Sequence, residues 1–117
     1  MARRVTPLDM LRQFALALPE ATEELTWNDI NFRVRAKIFC FPGEQTVTVK
    51  AHPDEFEALL GDPRFVRAAY VGRFGWVTMT FGSRPDWDEI NELIMTSYCL
   101  VAPKKLAALV EGSSSDS

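Results

Sequence analysis

Two blocks of alternating apolar and polar residues constrain this chain more than any other feature in it. In INFRVRAKIFCF, residues 30–41, Ile30, Phe32, Val34 and Ala36 alternate with Asn31, Arg33, Arg35 and Lys37. A period of two is the pattern of a strand with one buried face. TVTVKA, residues 46–51, alternates again after PGEQ, a hairpin-type connection at 42–45. The whole block reads as two or three antiparallel strands. Strand-like residues return at 65–71 and 76–81, where Val77, Met79 and Phe81 make the better core face. Trp76 then falls on the polar side, with Thr78 and Thr80.

Helical segments separate these blocks. Thr6 is a good N-cap, Pro7 suits the first helical position and Asp9 favours the positive end of the helix. Leu8, Leu11, Leu18 and either Phe14 or Ala15 recur at helical spacing, and Pro19 ends the segment. PEATEEL, residues 19–25, reads as an acidic, solvated connection. HPDEFEALLGDPRF gives a short helix with Phe56, Leu59 and Leu60 inward and Gly61 as its stop. The last helical segment opens with Asp86 and Glu89 at capping-box spacing. It buries Ile90, Leu93, Ile94, Ser97 and Val101, and Pro103 breaks it into a long helix and a short one. The order is helix, three strands, helix, two strands, two helices: an α+β domain with a mainly antiparallel sheet. One domain over residues 1–110 is expected, with 111–117 a disordered polar tail.

Composition narrows the function classes. With 117 residues, a net charge of −3 and a pI of about 5.1, the chain lacks the overall basicity of a protein whose whole surface attracts phosphate. No apolar run approaches a membrane span. Asp9 and Arg12 interrupt the N-terminal apolar stretch, so no export signal is read there. Cys40 and Cys99 lack metal-type spacing and read as reduced thiols, and a cytoplasmic location follows.

Catalytic constellations are thin. His52 is the only histidine and precedes Pro-Asp-Glu, where a polar residue entering a helix needs no catalytic reason. One His and two scattered Cys leave a zinc site without ligands. The carboxylates at 20–24 and 86–92 suit a loop and a helix N-terminus. No enzyme activity, cofactor or metal is therefore expected. The basic residues are more suggestive. On one strand, Arg33, Arg35 and Lys37 would share a face about 7 Å apart, and Arg64, Arg67 and Arg73 would extend it. Such a surface tracks phosphates while aromatics contact bases; the alternative is a solvated face whose cations pair with carboxylates. Gly72-Arg73-Phe74-Gly75-Trp76 fails as a phosphate cradle, because a strand and not a helix follows it. It reads as a turn that projects Arg73 and starts a strand at Trp76.

Ordered pieces along the chain carry a family resemblance. They are LALPEATEE after the first helix, Trp27, FRVRAKIF, TVKAHPDEFEALL, YVGRFGWVTM and DWDEINELIMTSYCLVAPKKL. From Thr6 to about Val110 the chain resembles the MmcQ/YjbR family of small bacterial proteins. The resemblance implies a compact α+β fold similar to secretion-chaperone-like or CyaY-like domains. It also implies a DNA-binding-like label, by analogy to a double-wing arrangement of strands. Two positions depart from the family pattern: Gly75, where many members carry His before the tryptophan, and Cys99, where many carry a basic residue. Both remove polar or positive contacts.

Two readings follow. In the first the protein is a non-enzymatic DNA-binding protein, with Arg33, Arg35, Lys37 and Arg73 on phosphates and Trp76 beside them. In the second it is a protein-interaction or chaperone-like adaptor that docks a protein partner through the sheet face or the Trp27 region. Tryptophan and arginine are enriched at both kinds of interface. What covers Trp76 is the deciding question.

Overall fold

A computed structural model describes residues 5–69, 71 and 74–114, with the side chains of 112–114 outside the description. The elements run α1 (Pro7–Leu16), β1 (Ala21–Thr26), β2 (Asp29–Val34), β3 (Lys37–Pro42), β4 (Thr46–Lys50), α2 (Phe56–Leu60), β5 (Phe65–Arg67), β6 (Trp76–Thr80), α3 (Trp87–Val101) and α4 (Lys104–Ser114). The strands form one antiparallel sheet in the order β1-β2-β3-β4-β6-β5. The α+β architecture and the grouping of strands between helices are as the sequence predicts.

Helix starts follow the expected chemistry. Thr6 and Asp9 close a reciprocal capping box on α1, at 3.1 and 3.0 Å. Asp86 caps α3 by accepting from the Glu89 amide. Glu89 itself is drawn off to Arg64, so this second box has one arm. Helix α4 runs past Val110 to Ser114, into the segment expected as a tail.

Two expectations are corrected. PEATEEL is not a loop: residues 21–26 form an edge strand paired along its length with β2. Its side chains are mostly exposed on both faces, so backbone pairing rather than burial holds it, and the sequence carries no apolar alternation to announce it. The second correction concerns the basic strip. Arg35 and Ala36 adopt left-handed backbone, with φ of 51 and 68°, and make a two-residue turn between β2 and β3. Arg33, Arg35 and Lys37 therefore lie on one strand, in a turn and on the next strand respectively.

The core lies on one side of the sheet. Phe32, Val34, Val47, Val49, Val77 and Met79 join Leu11 and Ala15 of α1 and Ile90, Ile94 and Tyr98 of α3 in a single cluster. Phe56, Leu59 and Leu60 of α2 pack at its margin. The β2–β3 register slips between Phe32 and Arg33 of β2, leaving Phe39 of β3 as the extra residue of a bulge. Phe39 and Cys40 are both buried as a result. Ser97 of α3 closes the resulting gap. Its hydroxyl donates to the Phe39 carbonyl at 2.6 Å and accepts from the Lys50 amide at 2.9 Å.

Candidate functional site

With the core residues of α1, α3 and α4 all in that one cluster, the opposite sheet face lies open. In β6, Val77 and Met79 are buried while Trp76 and Thr78 are half-buried and Thr80 is exposed. The register places Lys50 beside Trp76, Thr48 beside Thr78 and Phe41 beside Thr48. These side chains therefore share the open face, and none of Ile38, Phe41 and Trp76 packs on the core. The Trp76 and Phe41 rings meet edge to face, with centroids 5.8 Å apart. Below them the Thr48 and Thr78 hydroxyls are hydrogen-bonded at 2.8 Å. Trp76 is thus covered by no helix among the described residues. Among the described residues its ring contact is Phe41, a neighbour on the same sheet face.

The expected basic strip does not assemble. Arg33 is on the open face, but its guanidinium donates to Asn31 Oδ1 at 2.8 Å and Thr26 Oγ1 at 3.0 Å. Asn31 is itself fully buried and donates to Thr26 and to the Asp29 carbonyl. Arg35 is clamped bidentately by Glu20 at 2.6 and 3.1 Å. That pairing holds the Glu20 carboxyl below its ordinary range, chiefly through the hydrogen bonds from Arg35. Lys37 pairs with Val34 in register and so belongs to the helix side of the sheet. Arg64 is held by Asp62 and Glu89, and Arg67 by Glu57 while lying 4.9 Å over the Phe56 ring. Carboxylates are interleaved with most of these cations. Arg73 and Gly72 lie outside the described residues. Gly75 has a φ of 92°, and its carbonyl accepts from the Ala51 amide, as a turn feeding β6 requires.

Sequence reasoning missed Phe41, Thr48 and Lys50. The alternation of TVTVK placed Thr48 and Lys50 opposite the valines, but their meeting with Trp76 is set by the β4–β6 register, which no local pattern carries. At the entry to α2 the His52 Nδ1 accepts from the Asp54 amide at 3.1 Å. A separate open groove of about 660 Å³ runs along α3 and α4, lined in part by His52, Asp88, Glu92, Met95, Cys99 and Glu111. Among the described residues no group of three or more His, Cys, Asp or Glu side chains is placed to hold a metal ion. No helix among them is long and apolar enough to cross a membrane.

A family model described as YjbR matches residues 16–100. The crystal structure of Deinococcus radiodurans protein DR2400, with family-model domain DUF419, superimposes with a TM-score of 0.69 at 20% identity. The match covers 83% of this chain and 81% of that one, and at such identity it speaks to the fold alone. No curated protein matches the sequence.

Proposed function

The chain belongs to the YjbR family, and from that premise we propose that it is a non-enzymatic binding protein whose open sheet face receives a protein segment. The observation that carries this reading is the Phe41–Trp76 pair on a sheet face that no helix among the described residues covers and on which the expected basic strip does not assemble. Aromatic side chains held rigid by neighbours bury much apolar area at little entropic cost, which suits an interface anchor. The threonines beside them offer hydroxyls without charge.

A second reading, single-stranded nucleic acid, draws on one specific feature. Lys50 is the register partner of Trp76, and a cation beside an exposed ring is the minimal unit of a stacking platform. The two readings separate by salt. A contact that neutralises about three phosphates loses affinity with a log–log slope of about −3. An apolar protein contact is nearly flat in salt.

The experiment has two arms. Mixed-sequence single-stranded DNA and RNA are titrated at low salt, and immobilised protein is used to capture partners at high salt. The protein reading expects no saturable nucleic-acid binding, and a captured partner that survives high salt and is lost with Trp76→Ala. Tight, salt-steep binding that Lys50→Ala weakens would replace it with the nucleic-acid reading. Retention of the captured partner by Trp76→Ala would remove the open face from the function.

A further inference from the structure

The edge strand β1 ends in a turn that carries an exposed tryptophan. Trp27 and Asn28 form its two-residue turn with β2, and both have positive φ, 53 and 67°. Asparagine tolerates that backbone, but a tryptophan there is strained by about 1–2 kcal/mol. Trp27 is also 93% exposed, and Leu25 beside it is 67% exposed. The two-residue turn requires this backbone, but it does not require a large apolar side chain there. A large apolar side chain held exposed at a strained position points to a role in contact.

Leu25 pairs with Ile30 in register and so faces the helix side, yet none of the core residues covers it. At the other end of β1, an apolar groove of about 310 Å³ is lined by Phe14, Leu18, Pro19, Met95, Leu109 and Val110. Leu109 stands 59% exposed on it. An apolar knob at one end of an edge strand and an apolar groove at the other make a self-complementary edge. A two-fold rotation exchanges the two ends.

We propose that two copies of this chain pair antiparallel through β1, with Glu23 opposite Glu23 of the second copy and Ala21 opposite Leu25. Three features select this register. First, the two-residue turn makes Thr26–Asp29 a hydrogen-bonded pair. Thr22, Glu24 and Thr26 then bond to β2, and the amides and carbonyls of Glu23 and Leu25 point out of the sheet. The Ala21 amide is engaged by the Leu18 carbonyl, but the Ala21 carbonyl still meets the Leu25 amide of the second copy.

Second, the charges agree. The facing Glu23 carboxylates are each held by their own Arg12 at 2.7 and 3.2 Å. Glu24, which has no such partner among the described residues, lands opposite Thr22. Shifting the centre of the pairing by one residue toward the turn would set Glu24 against Glu24, where like charges oppose pairing. Third, the span fits. Ala21 to Leu25 is about 14 Å of strand, which brings Leu25 and the Trp27 turn of each copy to Leu18 and Pro19 of the other. The contact is isologous and closes on itself. The sheet runs through both copies, with both open faces on one side.

The test is the mass of the full chain in solution along a dilution series, by sedimentation equilibrium. Amide exchange is measured at both ends of the series, and melting temperature for each variant. A dimer that dissociates on dilution is expected, with the Glu23 and Leu25 amides protected only at high concentration. Leu25→Asp shifts the equilibrium to monomer. Trp27→Gly also weakens the dimer at least tenfold while the melting temperature of the monomer rises or holds, because glycine relieves the turn. That pairing of opposite effects separates lost contact from lost folding. A wild-type chain that stays monomeric throughout overturns the proposal. So does a dimer that neither variant weakens, or one whose protected amides lie elsewhere.

Discussion

Ser97 is a small side chain at the junction between helix and sheet, where the bulge at Phe39 leaves the Phe39 carbonyl and the Lys50 amide without each other. Its hydroxyl satisfies both from a fully buried position. Ser97→Ala removes one oxygen and strands a buried carbonyl and a part-buried amide, so a loss of about 1–3 kcal/mol is expected in urea unfolding. The next residue acts differently. Tyr98 packs its ring edge on Phe39 at 5.3 Å and donates its hydroxyl to the Pro19 carbonyl. Tyr98→Phe keeps the ring and should cost only about 1 kcal/mol. Of these two, the spacing of the last helix marked Ser97 as inward and passed over Tyr98. That Ser97 faces a bulge rather than another helix is tertiary information, absent from α3 itself.

The two thiols also differ at this scale. Cys40 is fully buried, and burial raises its pKa far above the ordinary value. Cys99 is half-exposed, and its pKa is raised first by burial and then by the charge of Glu111. Because the thiolate is the reactive form, a thiol reagent is expected to label Cys99 slowly near neutrality and faster as pH rises. Cys40 should react only when the chain unfolds. Two equivalents of fast labelling in the native protein would contradict this packing.

Among the elements, the β2–β3 hairpin shows most clearly where a sequence pattern misleads. Alternation through residues 30–37 is unbroken, and a hairpin turn of two residues preserves it. Neither Arg35 nor Ala36 is the asparagine or glycine that would announce such a turn. The consequence is strain in a non-glycine pair. Ala36→Gly, at φ 68°, should therefore raise stability by about 1 kcal/mol, read as a higher melting temperature.

The same turn carries a pH signature. Glu20 has a folded-state pKa lowered by Arg35. The pair therefore adds stability above the ordinary glutamate pKa and loses it as pH falls through the lowered value. Arg35→Gln should melt slightly below wild type near neutrality, and the two proteins should converge in acid. Added salt should narrow the gap as well, since the pair is solvent-exposed. A gap that persists at low pH would mean that Arg35 acts through something other than Glu20.

At the scale of the whole molecule, a one-sided core divides a single strand into two kinds of residue. Local period gave the inward set of β6 correctly, because burial on one face imprints directly on sequence. It could not give β1, which buries little, nor the neighbours of Trp76, which depend on how distant strands align. The division makes stability and binding separable by adjacent substitutions. Met79 is almost wholly buried within the cluster that unites sheet and helices. Met79→Ala should cost about 2–5 kcal/mol and lower the unfolding midpoint of the entire domain in one transition. Trp76 is larger, but its ring lies off that cluster and is half-exposed, with Phe41 as its ring contact. Trp76→Ala should therefore destabilise less than Met79→Ala despite removing more atoms, with far-UV circular dichroism unchanged. If Trp76→Ala unfolded the domain as severely, the ring would be a structural member of the fold. The open face would then lose its candidate anchor. A mild effect leaves a folded protein in which only the exposed sheet surface has changed, which is the condition any binding measurement on this face requires.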